Sequence, residues 1–273
     1  LNYQWQKQDA NGTWVNIGGA TGATYTINSV QAIHAGTYRV AITNASGGTT
    51  HSVNSVLNVS QGDPLTQGLV AYYPFDGNAS DVSGSNNHGT VNGATLSADR
   101  GQNNGKAYYF DGSSSITTTT ANNLPIGNQD FTISIWLTLD EIKAHLQGVV
   151  LENQQLDQFH LGFNTWAAAE PKLHFYTGGA QVANADHLSW NSDEWYQITL
   201  VRKGDTFKFY RAGKEIYSST SNKGNEASPA KRHLSIGRRT TTNQHSWKGK
   251  LDDIRIYNRA LSGNEVELSL IHI

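Results

Sequence analysis

The feature that most constrains this chain is the alternation of apolar residues at every second position in short runs. Phe131, Ile133, Ile135, Leu137 and Leu139 form one such run, and Tyr196, Ile198 and Leu200 form another. Phe207 with Phe209 and Leu234 with Ile236 repeat the pattern. Successive side chains of a strand point to opposite faces, so each run presents one apolar face and one polar face. Two sheets packed about 10 Å apart bury such faces against each other. Charged residues are only 15% of the chain and glycine occurs 27 times, which suits many strands joined by tight turns. The expected fold class is therefore all-β. The one helical signal is Ala260 to Leu270, where Ser262 and Glu265 have the spacing of a capping box.

The chain's 273 residues suffice for two domains. Residues 1–60 read as a first unit of short strands. The segment 61–67, QGDPLTQ, reads as a linker punctuated by Gly62 and Pro64, and 68–273 as the larger domain. A net charge of −2 provides no basic field for nucleic acid. No apolar run is long enough to span a bilayer, so no membrane insertion is expected. The absence of cysteine excludes disulfides and thiol chemistry, and the chain has no methionine. We read it as a piece of a larger exported protein, secreted or on a bacterial surface, with other domains of that parent as partners.

Two stretches carry polar chemistry. The first is Lys250 to Ser262, KLDDIRIYNRALS, a strand running into the capped turn. Strict alternation places Asp252 on the same face as Ile254 and Ile256. A carboxylate on an apolar face needs a partner, since burying an unpaired charge costs several kcal/mol. No Lys or Arg shares that face, so a cation from elsewhere is expected. The second stretch is the Gly-rich loop carrying Asp76, Asn78, Asp81, Asn86 and Asn87. Its carboxylates, amides and carbonyls are hard oxygen donors that suit calcium. The same residues also suit an Asx-rich turn that caps itself.

The runs AYYPFDGNASDVSGSNNHGTVNGA, KAYYFDGSSSITT, FTISIWLTLD, DEWYQITLVRKGDTFKFYRAGKEI, HLSIGRR and KLDDIRIYNRALSGNEVEL resemble the laminin-G-like, concanavalin-type jelly-roll family, in the family's order, over about residues 68 to 270. That resemblance implies a jelly-roll β-sandwich and a calcium joining the first loop to the last strand. Its implied ligands are Asp76, Asn78 and Asp252, with Asp81 and a backbone carbonyl near His88 as further donors. Residues 1–60 resemble a bacterial immunoglobulin-like β-sandwich. Trp5 matches that family's core Trp, and Tyr38 precedes Val40 by two positions, as the corner tyrosine precedes the second cysteine. The sequence begins at the strand bearing Trp5, so a fragment without strands A and B is expected.

Alternation also defines candidate binding residues. With Leu161, Phe163, Leu173 and Phe175 inward, His160, His174 and Tyr176 point outward. Trp166 and Trp190, in flanking loops, are expected to wall a groove there. Aromatic rings stack on a pyranose while polar side chains bond its hydroxyls. Arg239, next to Arg238, reads either as a clamp for a uronate or sulfate or as a solvated turn. His160 and His174 also read as ordinary solvated or hydrogen-bonded histidines, or as zinc ligands, although further ligands are not evident from the sequence. Trp136, Trp195 and Trp247 read as packing. The paired acids on one strand that jelly-roll glycosidases use do not occur, because Asp140-Glu141 and Asp193-Glu194 are adjacent. Gln158-Phe159-His160 lacks the late tyrosine motif of jelly-roll lyases. The expected function is a non-catalytic, calcium-stabilised carbohydrate-binding module. The alternative is a structural or adhesive spacer that contacts protein, and an enzyme ranks below both.

Overall fold

A computed structural model describes residues 1–28, 30–59, 63–118, 124, 129–140, 147–153, 159–164, 172–177, 180–185, 188–223, 234–238 and 245–270. The chain divides into two compact units, Leu1–Pro64 and Leu65–Ile273.

The first unit is one antiparallel sheet. Its strands are β1 (Asn2–Gln8), β2 (Trp14–Asn16), β3 (Gly36–Thr43), β4 (Thr49–His51) and β5 (Ser55–Leu57). They run in the order β2-β1-β3-β4, with β5 also paired to β3. Trp5 on β1 stands opposite Val40 on β3, and Lys7 opposite Tyr38. The Tyr38 hydroxyl donates to the His34 carbonyl four residues upstream, at 2.5 Å. The Trp5 indole donates to the Gly22 carbonyl, which draws the following segment over one sheet face. Tyr25 there bridges Trp5 and Tyr38 through tilted ring contacts. Among the described residues only Ala20 and Tyr38 are buried apolar side chains in this unit, while Val15, Val30, Ile33, Val53 and Val56 are exposed.

The second unit opens with β6 (Leu69–Tyr73), β7 (Gly89–Asn92), β8 (Thr95–Ser97), β9 (Ala107–Asp111) and β10 (Ser115–Thr118). It continues through β11 (Phe131–Leu137), β12 (Gln147–Asn153), β13 (Phe159–Asn164), β14 (Lys172–Thr177) and β15 (Ala180–Ala185). It closes with β16 (Tyr196–Lys203), β17 (Thr206–Arg211), β18 (Lys214–Thr220), β19 (Leu234–Ile236), β20 (Lys248–Tyr257) and the helix α1 (Gly263–Leu268). Among the described residues these strands form two sheets. One runs β15-β14-β13-β12-β19-β10-β7, and the other runs β18-β17-β16-β11-β20-β9-β8 with β6 also on β20.

The alternating runs meet between these sheets. Phe131 of β11 packs on Phe175 of β14, which in turn packs on Phe207 of β17. Ile133, Ile135, Ile198, Leu200, Phe209, Leu234 and Ile236 complete the same core. Part of the outer face of the β11–β16 sheet is also covered. Leu65, Val201, Tyr210, Tyr257, Leu261 and Val266 form a smaller cluster beneath α1. That helix begins as its capping box predicts: Ser262 accepts from Glu265 N, and the Glu265 carboxylate accepts from Ser262 N at 2.7 Å. Gly237 ends β19 with φ +83°, and a Cβ there would lie 2.1 Å from the Phe110 ring. Only glycine lets the chain turn this close to the core.

Strand β20 departs from strict alternation. Its pairing with β11 shifts between Ser134 and Trp136, and Asp253 adopts φ +46°. This bulge places Leu251, Ile254 and Ile256 in the core and turns Asp252 to the outer face. Asp252 stands opposite Trp136 there. The expectation that Asp252 shares the face of Ile254 is thus corrected by the one-residue offset that a bulge introduces.

Candidate ligand-binding face

The sheet containing β13 and β14 has one face in the core. Its other face carries the residues that alternation sends outward. His160 on β13 pairs across the ladder with Tyr176 on β14, while His174 stands opposite Gly162. Having no side chain, Gly162 leaves His174 room to lean toward His160. The two imidazoles meet at Nε2, 3.0 Å apart, with their rings near perpendicular at 89°. The His160 ring lies flat over Tyr176, with centroids 5.0 Å apart and planes 5° from parallel. His160 and Tyr176 are half-buried, whereas His174 is only 5% exposed. Burial, and then the nearby charge of His245, push the His174 imidazole down to about 4, so it is neutral near pH 7. On β19, separated from β13 by β12, Ser235 faces the same side and donates to the Arg238 carbonyl at 2.6 Å.

The remaining expected binding residues divide. Trp190 is a core residue, only 4% exposed, with its ring edge-on to both Phe163 and Tyr196. The Arg211 guanidinium covers it at 4.7 Å. The expectation that Trp190 walls a groove is therefore corrected, because it fills the space between the sheets. Trp166 and Arg239 lie outside the described residues. Trp247 is buried against Phe163, as its packing role requires. Trp136 and Trp195 are half-buried rather than core, and Trp136 lies on the outer face beneath Arg100.

The residues expected to hold calcium are engaged separately. Asp81 is buried, and its carboxylate accepts three backbone N–H groups, from Tyr72, Ser83 and Asn87, at 2.8–2.9 Å. His88 Nδ1 accepts the Asp81 N–H at 3.2 Å. Asn78 accepts from Ser80 N, and exposed Asp76 pairs with Lys106 at 3.0 Å. Asp252 is held by Arg100 at 3.0 Å, and Asp253 by the same guanidinium at 2.8 Å. Among the described residues, no group of three or more His, Cys, Asp or Glu side chains could hold a metal ion. These donors, as placed, do not fit one shared calcium. The loop has the self-capping Asx character, and the cation that Asp252 requires is a guanidinium.

Sequence reasoning missed that guanidinium. Arg100 lies in the turn between β8 and β9, where no pattern marks it. It stacks 4.5 Å above the Trp136 ring. The same outer face holds Arg255, which stacks over Tyr72 at 4.4 Å and lies 3.6 Å from Asp253. The Tyr72 hydroxyl donates to Asp253 at 2.9 Å. Burial, then repulsion from Asp253, push the Asp252 carboxyl up to about 7, against the opposing pull of Arg100.

Two facing antiparallel sheets of this order, with one outer face partly covered and a final strand leading into a capped helix, define a lectin-like sandwich. The chain belongs to the Laminin_G_3 family of the concanavalin A-like lectin/glucanases superfamily, which matches residues 110–267. No curated protein matches the sequence. Among solved structures, domain 4 of AbnA, an extracellular arabinanase from Geobacillus stearothermophilus, solved in complex with arabinotriose, superposes with a TM-score of 0.57. It is 20% identical, over 73% of this chain and 96% of that one. The binding domain of Paraclostridial Mosquitocidal Protein 1 gives 0.62 at 19% identity, over 75% of this chain and 52% of its own. The binding domain of botulinum neurotoxin DC in complex with rat synaptotagmin II gives 0.55 at 12% identity, over 75% and 51%. This chain thus spans about half the length of the toxin domains, and at these identities the likeness is one of fold.

Proposed function

We propose that residues 65–273 form a non-catalytic carbohydrate-binding module of a secreted or cell-surface bacterial protein, with the outer face of the β13–β14 sheet as its ligand face. The observation that carries this reading is the His160–Tyr176 stack. It offers half-exposed aromatic surface beside polar side chains on a face that does not belong to the core. Such a surface suits the alternating apolar and hydroxyl-rich character of a sugar ring. A fold neighbour solved with arabinotriose supports sugar as the ligand class. The outer face of the opposite sheet is a poorer candidate, since α1 and its cluster cover part of it. The first unit is read as one sheet of an immunoglobulin-like sandwich, a reading supported by the Tyr38–His34 bond and the Trp5–Val40 pairing.

The test is calorimetric titration of arabinan and of other plant and algal polysaccharides against wild type and Tyr176→Ala. Single sites of this kind bind weakly, and Tyr176→Ala should weaken binding about fivefold, the equivalent of roughly 1 kcal/mol of ring stacking. Binding unchanged in Tyr176→Ala would place the ligand on another face. A module that binds no polysaccharide would be a spacer or adhesive unit, a reading that the synaptotagmin-bound fold neighbour favours.

A further inference from the structure

The Nε2 atoms of His160 and His174 are 3.0 Å apart, one donating a hydrogen bond to the other, and the rings are nearly perpendicular. A metal ion that replaces the shared proton would find both nitrogens already side by side. Two metal–nitrogen bonds of about 2.0 Å set at a right angle span about 2.8 Å, whereas a tetrahedral angle spreads them to about 3.3 Å. The observed separation lies nearer the right angle, the arrangement of neighbouring positions around a tetragonal ion. Cu²⁺ and Ni²⁺ prefer that arrangement when their donors are nitrogen and oxygen. We propose that His160 and His174 form a two-imidazole chelate for a divalent transition metal of the copper–nickel type, its other positions filled by water.

The placement of the rings supports the chelate. Stacking on Tyr176 fixes the His160 ring plane, so little ordering is needed when the ion arrives. Two nitrogen donors without carboxylates do not suit Ca²⁺ or Mg²⁺, which require oxygen. The chelate needs no sugar and stands independently of the glycan reading.

The experiment is titration of the tag-free full chain with Cu²⁺ alone, followed by electron paramagnetic resonance. The expected result is one ion per chain with hyperfine splitting from two imidazole nitrogens. His160→Gln and His174→Gln should each weaken binding by more than about tenfold, while His51→Gln, at an exposed position on β4, should not. Thermal melts confirm folding. If the buried His174 variant does not fold, the half-exposed His160 variant still decides the matter. Added Ca²⁺ should not displace the copper. The proposal is overturned by the absence of saturable binding at one equivalent, by a one-nitrogen spectrum, by copper binding that survives His160→Gln, or by equal losses in the His51 variant. None of these outcomes bears on polysaccharide binding, which is measured without metal.

Discussion

Arg100 reaches Asp252 at 3.0 Å across 152 residues of chain, with its guanidinium stacked on Trp136. The same group bonds Asp253 at 2.8 Å, so one cation holds both acids of the β20 bulge. Arg255 and Tyr72 close the other side of Asp253. This cluster ties the β8–β9 turn, β6, β11 and β20 together on the outer face of one sheet. Its position matters for stability because both carboxylates are nearly buried.

Asp252 gives the second unit a distinctive pH dependence. Its folded carboxyl titrates at about 7, above its value in the unfolded chain. Between about pH 4 and pH 7 the folded state therefore holds the extra proton, and this group's contribution to stability falls as pH rises. Asp111 and Glu265, both held down at about 2, act oppositely: their contribution is present above about pH 4 and is lost as pH falls toward 2. Subtracting the melting profile of Asp252→Asn from that of wild type isolates the Asp252 term. The difference should slope downward from pH 4 to 7 and level off above 7; a flat difference would show that Asp252 titrates normally.

Removing the cation should be costly, and removing calcium should not. Arg100→Met leaves buried Asp252 without its cation and Asp253 with Arg255 and Tyr72 alone, a loss of about 3–5 kcal/mol for a broken buried pair. The double variant Arg100→Met/Asp252→Asn should recover part of that loss in urea titrations. A chelator should leave the melting temperature of the wild-type second unit unchanged, because the expected calcium donors are already satisfied by Arg100, Lys106 and backbone N–H groups. A drop in melting temperature that added calcium reverses would show that those donors rearrange around an ion.

Asp81 organises the loop that follows β6. Its two oxygens take three backbone N–H groups, so Asp81→Ala strands buried donors. A loss of about 3 kcal/mol is expected, with faster amide exchange at Ser83 and Asn87. Unchanged exchange at those two amides would mean that water replaces the carboxylate without cost.

Trp190 separates packing from recognition. Trp190→Ala empties a site between Phe163 and Tyr196 and should cost about 3–5 kcal/mol. Where the variant remains folded, its polysaccharide affinity should match wild type. A selective loss of binding with intact stability would return Trp190 to the ligand face.

The first unit should be weak by itself. Its sheet has little buried apolar surface, and residues 1–64 alone should show low amide protection and no cooperative melt. Strong protection throughout β1 and β3 would mean that the single sheet is self-sufficient.

Much of the second unit was legible in the chain. The alternating apolar runs of β11, β16 and β17 lie in the core as read, since a period of two admits only one apolar face per strand. The capping box at Ser262 and Glu265 was equally local, and so was the assignment of His160, His174 and Tyr176 to the face opposite the core, where His174 is nonetheless buried. Such features depend on neighbours a few residues apart, which sequence displays directly. Trp190 misled because a loop tryptophan fits a groove wall and a core plug equally well. Only the approach of Phe163 and Tyr196 decides between them.

The sequence by itself determined that the chain is all-β, which faces of β11, β16 and β17 turn inward, and where the last helix begins. Tertiary structure alone decided what neutralises Asp252. Alternation carries no mark of a bulge, and one residue in the left-handed region at Asp253 moves the carboxylate from the expected inner face to the outer one. Its partner then comes from a turn 152 residues away, because a buried charge recruits whichever counter-charge the assembled sheets bring near. The 3.0 Å meeting of His160 and His174 is likewise a product of register, set where Gly162 leaves space beside His174.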